Sequence, residues 1–210
     1  MKSSLRSMAL LDDKRRARRF YRYFSKVYDF VNPIFYSEEM RRKVVDMANV
    51  EEGDLVLEVG CGTGFTTYEI VRRVKDVVAI DITPEQISKA VRRFPDVNFL
   101  MGDAENLPFK DNVFDASISA GSIEYWPHPS LGIQEMTRVT KPGGRVVVLA
   151  PRKPENPIIR KFAESIMLFP STQQCVAWFL KAGLEDIRYV ETGPYRFWSK
   201  LVVIISGRVP

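Results

Sequence analysis

The sequence predicts an α/β fold built on a mostly parallel β-sheet with helices on both of its faces. Short runs of aliphatic and β-branched residues alternate along the chain with helical stretches, as in a repeated βαβ unit. A glycine-rich segment follows the first run, and an acidic residue marks the end of each of the first three runs. The chain has 210 residues, enough for one such domain with a short extension.

The N-terminal part of the chain is predicted to be helical. Within residues 11–47 one apolar face recurs at helical spacing and consists of Phe20, Phe24, Val27 and Val31. Pro33 interrupts this stretch, and Ser37 is expected to cap a second helix. We therefore assign residues 1–50 to an N-terminal helical extension.

The remainder, residues 51–210, is predicted to form the α/β domain. Its strands are expected at residues 55–59, 77–80, 97–101, 114–119, 145–150, 184–192 and 201–207. The helix after the second strand begins with Thr83 as N-cap and Pro84 in its first position, and a turn at 142–144 precedes the fifth strand. A helical insertion is expected at about 152–182, with helices near 157–168 and 172–182.

The positive charge of the chain is concentrated near its N-terminus. Seven basic residues and no acidic one lie between positions 14 and 26: Lys14, Arg15, Arg16, Arg18, Arg19, Arg22 and Lys26. Because the net charge is +5, the rest of the chain is slightly acidic. This pattern predicts one local attachment surface and disfavours a protein that binds nucleic acid over its whole surface.

Composition also excludes several classes of protein. The sequence has no apolar run of about 18 residues that would span a bilayer, and its first residues lack the features of a secretory signal. Cys61 and Cys175 do not make a disulfide framework. Together with the single histidine, His128, they show no metal-binding spacing. We expect a cytoplasmic protein without a metal cofactor.

The glycine-rich segment at residues 58–64 is the main binding motif. Glycines at a strand-to-helix junction let the backbone approach a ligand closely, and the helix that follows offers free N–H groups. A dinucleotide-binding fingerprint would need a third glycine at position 65, where this chain has Phe65. Glu58 precedes the first glycine. Its carboxylate would repel a phosphate but attract a ligand that carries an ammonium and a sulfonium group.

Two further acids extend this interpretation. Asp81 ends the second strand, where a carboxylate can accept hydrogen bonds from both ribose hydroxyls of a nucleoside. Asp103 follows the third strand, where it can accept a hydrogen bond from an adenine amino group while the Ala104 backbone faces the ring. Each acid alone also fits a helix cap or a solvated loop. Three acids at successive strand ends favour a site for one cationic nucleoside.

These motifs resemble the Rossmann-like superfamily of S-adenosylmethionine-dependent methyltransferases. The matching segments are VLEVGCGTG at 56–64, AID at 79–81, GDA at 102–104, LPF at 107–109 and FD at 114–115. The resemblance covers about residues 27–210 and implies a seven-stranded sheet whose last strand runs antiparallel. It also implies S-adenosylmethionine as cofactor, held by Tyr28, Glu58, Gly60, Cys61, Gly62, Thr63, Gly64, Asp81, Ile82, Asp103, Ala104 and Ser119.

Other segments resemble a narrower group, the plastid-type methyltransferases of methyl-phytyl- and methyl-solanesyl-benzoquinol, which belong with the ubiquinone and menaquinone C-methyltransferases. These segments are FYRYFSKVYD at 20–29, GFTT at 64–67, SAGSIEYWP at 119–127 and MLFP at 167–170. The resemblance implies C-methylation of the ring of a polyprenyl benzoquinol or naphthoquinol. The plastid enzymes carry a transit peptide and a C-terminal membrane anchor that this sequence lacks, so we expect a prokaryote-like cytoplasmic enzyme.

A prenylated quinol rests in lipid, so an enzyme that methylates it has to meet the bilayer. The cations of residues 14–26 are interleaved with aromatic side chains, which is the composition of an interfacial helix on the inner face of a membrane. The insertion offers an apolar wall for the tail, formed by Ile158, Ile159, Phe162, Ile166 and Phe169. The alternatives are a solvated face for the cations and packing on the core for the insertion.

The residues after the fourth strand supply three candidates for a catalytic base: Glu124, Tyr125 and His128. Removing a proton from the hydroxyl beside the reacting ring carbon makes that carbon more nucleophilic, although alignment alone supplies much of the rate. Glu124 ranks slightly above His128 because it lies inside a matched segment. The ring of Tyr28 is expected to face the sulfonium.

Three alternatives remain open at this point. An RNA or DNA methyltransferase would explain the basic segment, but residues 119–122 contain neither an Asn/Asp-Pro-Pro-aromatic motif nor a Pro-Cys pair. A non-catalytic cofactor-binding subunit of a quinone-synthesis complex would share the same motifs. So would a methyltransferase of a water-soluble small molecule. The sequence does not predict the oligomeric state.

Overall fold

The computed structural model describes residues 37–154, 168–193 and 200–210. Its helices are α1 (Glu38–Ala48), α2 (Thr67–Ile70), α3 (Pro84–Arg93), α4 (Pro129–Val139) and α5 (Thr172–Lys181), with a 3₁₀ helix at Ile123–Tyr125. Its strands are β1 (Leu55–Val59), β2 (Asp76–Asp81), β3 (Asn98–Met101), β4 (Phe114–Ala120), β5 (Thr140–Pro151), β6 (Glu185–Thr192) and β7 (Val202–Arg208). The predictions for Tyr28, for the basic residues 14–26 and for residues 157–167 lie outside the described ranges.

The seven described strands form one sheet in the order β3-β2-β1-β4-β5-β7-β6. Strands β1 to β5 run parallel, and β7 is antiparallel to both β5 and β6. The predicted seven-stranded sheet with an antiparallel last strand is therefore confirmed. The strand order reverses at β1 and β4, whose carboxyl ends flank the crevice where open α/β sheets bind ligands.

Helix α1 packs on one face of the sheet. The Ser37 hydroxyl accepts a hydrogen bond from Met40 N at 3.3 Å, which confirms the predicted N-cap. The buried face of the helix consists of Met40, Val44, Val45 and Ala48. These side chains share an apolar core with Val56 of β1 and Ile118 of β4. The described end of the predicted extension thus belongs to the core of the sheet.

Helices α4 and α5 cover the opposite face. Successive side chains of a strand point to opposite faces. Leu57 therefore points away from α1, and it packs in a second core with Ile133 of α4 and Phe179 of α5. Helix α5 begins with a capping box: Ser171 Oγ accepts from Gln174 N at 3.1 Å, and Gln174 Oε1 accepts from Ser171 N at 2.8 Å.

The predicted start of the fifth strand is wrong. Strand β5 already begins at Thr140, which pairs with Phe114, and the ladder then shifts register so that Arg145 pairs with Ala116. Residues 142–144 therefore bulge within the strand and do not form a separate turn. The chain end fixes this bulge, because Gly143 N donates to Val209 O and Val209 N donates to Gly144 O, each at 2.9 Å.

Among the helices of the described ranges, none combines the length and apolar character needed to cross a bilayer.

The core on the α4–α5 side gives a stability prediction. Phe179 is fully buried, whereas its neighbour Leu180 is 62% exposed on the same helix. We expect Phe179→Ala to lower the free energy of unfolding by about 3–5 kcal/mol, because it removes a buried ring and leaves a cavity. Leu180→Ala is the matched control and should change it by less than about 0.5 kcal/mol. Urea unfolding measures both, and equal effects of the two variants would contradict this core assignment.

Candidate active site

The glycine loop between β1 and α2 is held in place by the end of β2. Gly60 N and Cys61 N both donate to Ile80 O, at 2.8 and 2.9 Å. The φ angles of Gly60, Gly62 and Gly64 are 75°, 54° and 90°, in the left-handed region that favours glycine. The predicted strand-to-helix loop with three conformationally required glycines is therefore present in the structure.

Two of these glycines also meet close neighbours. A Cβ on Gly60 would lie 2.3 Å from Ser122 Oγ, and a Cβ on Gly64 would lie 2.4 Å from the Phe94 ring. Within the part of the chain that the structure describes, a Cβ on Gly62 would meet nothing within 4 Å. The two ends of the loop are thus packed against protein, while none of the described residues covers its centre.

Asp81 joins the glycine loop to helix α3. Its two carboxylate oxygens accept hydrogen bonds from Gly62 N at 2.9 Å and from Thr83 N at 2.8 Å. Burial raises the pKa of Asp81, while these bonds and one from the Thr83 side chain oppose the rise. Thr83 is the N-cap residue as predicted, but its side chain makes no capping bond to α3.

Glu58 is a buried acid beside this loop, with 2% of its surface exposed. Both the hydroxyl and the backbone N–H of Thr67 donate to its carboxylate. Burial raises the pKa of Glu58 from its ordinary 4.5 to about 8, and the nearby charge of Asp81 acts in the same direction. The side chain is therefore largely protonated at neutral pH until a cation comes near and favours the carboxylate.

The third predicted acid lies in a tight turn that is tied to β2. Gly102 N donates to Asp81 O at 3.0 Å, which places the start of this turn beside the second acid. Asp103 Oδ1 accepts from Glu105 N at 3.0 Å, and Asn106 N donates to Asp103 O at 3.0 Å. The structure thus brings Glu58 at the end of β1, Asp81 at the end of β2 and the turn with Asp103 to one edge of the sheet.

The three catalytic candidates follow β4 at the same edge, and the predicted cofactor-binding residue Ser119 lies near the end of that strand. Ser119 Oγ lies 2.8 Å from Ser122 Oγ, and Ser122 Oγ donates to Val59 O at 3.3 Å. Glu124 and Tyr125 are buried in the 3₁₀ helix that follows. His128 differs, because its side chain is 67% exposed and its Nδ1 faces Glu105.

Sequence reasoning missed several residues that shape this site. Thr67 holds Glu58, Ser122 closes the glycine loop, and Phe94 packs against Gly64. Ser122 lies inside segment 119–127, which resembles the quinol methyltransferases, and this resemblance was the sequence signal that could have identified it. The contact of Phe94 with Gly64 depends on the path of the chain after α3, which residue spacing does not predict.

The residues present fit a cationic nucleoside cofactor. None of the described residues covers the centre of the glycine loop, and the buried Glu58 and the partly buried Asp81 at the same edge favour positive charge. A dinucleotide fits less well, because Phe65 occupies the position where a dinucleotide-binding loop needs its third glycine. The fold and this edge of the sheet define the class of Rossmann-like, S-adenosylmethionine-dependent methyltransferases.

Comparison with known proteins agrees with this class. A family model described as a methyltransferase domain matches residues 57–148. A chloroplastic 2-methyl-6-phytyl-1,4-hydroquinone methyltransferase of Oryza sativa subsp. japonica is 42% identical over 190 residues, covering 88% of this chain and 58% of that protein. The demethylmenaquinone methyltransferase of Paenarthrobacter aurescens is 34% identical over 191 residues, covering 77% of this chain and 76% of that protein. The chain belongs to the methyltransferase family that includes these quinol-ring and demethylmenaquinone enzymes.

The chain spans little more than half the length of the plant relatives, 58% of the rice protein and 55% of the spinach protein. Solved structures share the fold at low sequence identity. The [4+2]-cyclase SpnF has a TM-score of 0.78 at 19% identity, covering 93% of this chain and 96% of its own. Geranyl diphosphate C-methyltransferase from Streptomyces coelicolor has a TM-score of 0.69 at 18% identity, covering 82% and 77%.

The raised pKa of Glu58 predicts a pH dependence of stability. In the unfolded chain this acid ionises near 4.5, and in the folded chain near 8, so the folded state holds its proton across this window. The stability that Glu58 contributes is therefore complete below pH 4.5 and is lost as the pH rises towards 8, in total roughly 3–5 kcal/mol. Gln at this position still accepts from Thr67 but does not titrate. Urea unfolding without ligand should show Glu58→Gln losing less stability than the natural chain between pH 5 and 8, and parallel curves would contradict the assignment.

The two bonds of Asp81 predict a loss of cofactor affinity without loss of the fold. An Asn at this position must place its NH₂ group against one of the two backbone N–H donors, so one bond is lost. We expect Asp81→Asn to weaken S-adenosylhomocysteine binding by at least about tenfold, measured by calorimetry. Asp76→Asn, at the exposed start of the same strand, is the control. Unchanged affinity in Asp81→Asn would show that the loop does not depend on this carboxylate.

Proposed function

We propose that this chain transfers a methyl group from S-adenosylmethionine to a ring carbon of a polyprenyl quinol. The observation that carries the proposal is the apposition of the glycine loop and the segment after β4, through the contacts of Ser122 with Val59 and Gly60. Family membership supports the cofactor. The plant and bacterial relatives, named for hydroquinone and demethylmenaquinone methylation, support the acceptor class.

The bound cofactor would supply an electrophilic methyl group on a positively charged sulfur. Glu58 and Asp81 favour that charge, and Glu58 releases its proton as the cation arrives because its pKa lies near 8 in its absence. Asp81 accepts from the ribose, and the turn at Asp103 and Ala104 holds the adenine. These roles bind and orient the cofactor, which is a large part of what methyl transfer requires.

Glu124 is the proposed base that removes the proton from the quinol hydroxyl. It is 1% exposed, lies in the 3₁₀ helix directly after the Ser119–Ser122 contact, and is shielded from water that would solvate a carboxylate. Tyr125 follows Glu124 in the sequence, is also buried, and orients the quinol ring. His128 is exposed and faces Glu105, so it supports the loop rather than taking the proton.

The acceptor also suggests where the protein works. A polyprenyl tail stays in the bilayer, so we infer that the protein meets the membrane at its surface. The basic and aromatic residues at positions 14–26 have the composition of an interfacial helix. Anionic lipid would attract each cation by about 1 kcal/mol.

The decisive experiment offers three acceptor classes to the chain with methyl-labelled S-adenosylmethionine. Demethylmenaquinol and 2-methyl-6-phytyl-benzoquinol are supplied in anionic vesicles, total RNA is a second acceptor, and a water-soluble metabolite extract is a third. Mass spectrometry should find label on the quinol rings. Label confined to RNA or to water-soluble products would overturn the quinol assignment, and cofactor binding without transfer would indicate a non-catalytic subunit.

The assignment of the base gives a kinetic prediction. Glu124→Gln keeps the shape of the side chain but cannot accept a proton, so we expect kcat to fall about 10²–10⁴-fold while S-adenosylhomocysteine affinity stays unchanged. Glu52→Gln, which alters an exposed acid paired with Lys75, is the control and should keep full activity. Full kcat in Glu124→Gln would show that Glu124 is not the base.

A further inference from the structure

The turn that carries Asp103 and Ala104 is bound to both ends of helix α4. At the N-terminal end, the Glu105 carboxylate accepts a hydrogen bond from His128 N and lies 3.4 Å from His128 Nδ1. At the C-terminal end, Leu107 N donates to Glu135 Oε2 at 2.8 Å. The proposed adenine-binding turn therefore cannot shift without moving α4 or breaking these bonds.

Arg138 makes the C-terminal attachment rigid. Its guanidinium donates to Phe109 O at 2.8 Å and to Leu107 O at 3.1 Å. It also makes two bonds to Glu135, at 2.7 and 2.8 Å. A planar fork with several partners fixes orientation as well as distance. Residues 107–109 and the last turn of α4 thus form one unit.

The attachment at the N-terminal end of α4 lies next to the segment that carries the proposed base, Glu124. The Glu105 side chain is 5% exposed although the His128 ring it contacts is 67% exposed. His128 is the N-cap of α4 and closes the segment that holds Ser122, Glu124 and Tyr125. A carboxylate at this end is also favoured by the partial positive charge of the helix N-terminus. Only Ala104 separates Glu105 from Asp103.

We propose that Glu105 is a positioning residue that couples cofactor binding to the arrangement of the acceptor segment, residues 121–128. Ordering of Asp103 and Ala104 by the adenine fixes Glu105, and Glu105 fixes His128 and the segment before it. The proposal rests on the proposed function, because it assigns residues 121–128 to the acceptor. It predicts that S-adenosylhomocysteine orders a segment that binds the other substrate.

Amide hydrogen exchange of the whole chain tests this coupling without an acceptor. In the natural protein, S-adenosylhomocysteine should slow exchange in residues 102–110 and, by at least about fivefold, in residues 121–132. In Glu105→Ala the protection of residues 102–110 should persist, while that of 121–132 should fall below about twofold. Glu105→Gln retains an oxygen that accepts from His128 N, so it should restore most of the protection.

Asp115→Asn separates coupling from stability. Asp115 accepts from Leu55 N at 2.9 Å and pairs with Lys141 at 2.7 Å, at the opposite end of β4. This variant should lower Tm and keep protection of both segments. Equal protection of residues 121–132 in Glu105→Ala and the natural chain would overturn the coupling. Protection confined to residues 102–110 in the natural chain would also overturn the coupling. Protection of neither segment by S-adenosylhomocysteine would overturn the proposed function as well.

Discussion

Asp81 connects three parts of the candidate site through its carboxylate and its backbone carbonyl. Its oxygens bind Gly62 N and Thr83 N, while the carbonyl of the same residue accepts from Gly102 N. The glycine loop, the start of α3 and the turn after β3 are therefore arranged around the last residue of β2. Strand β2 lies between β1 and β3 in the sheet, so the parallel register places all three parts at one edge.

Burial of acids at this edge costs free energy in the absence of a ligand. Both Glu58 and Asp81 have raised pKa values because water is excluded from them. Hydrogen bonds from Thr67, Gly62 and Thr83 offset part of that cost. In the proposed site a cationic ligand would offset the rest, so the binding of the cofactor and the ionisation of Glu58 would be parts of one equilibrium.

The sequence predicted the sheet well because buried parallel strands read as continuous apolar runs and glycines mark where they end. The bounds of β1, the start of α5 and the N-cap at Ser37 follow from local patterns alone. Local patterns failed at Thr140, because the bulge at 142–144 is held by Val209, far away in the chain. They failed likewise at Glu105 and Phe94, whose partners come from distant elements. Proximity of this kind depends on tertiary packing, which residue spacing does not encode.

The contact between Gly60 and Ser122 has a consequence for variation of the sequence. No side chain larger than hydrogen fits at position 60 while a hydroxymethyl group occupies position 122. Substitutions at the two positions are therefore not independent, and exchanging Ser122 for glycine would relieve the clash but leave the unfavourable φ of 75°. In a mutant library aimed at new acceptors, position 122 can be randomised only with Gly60 kept, and diversity at position 60 would yield mostly inactive clones.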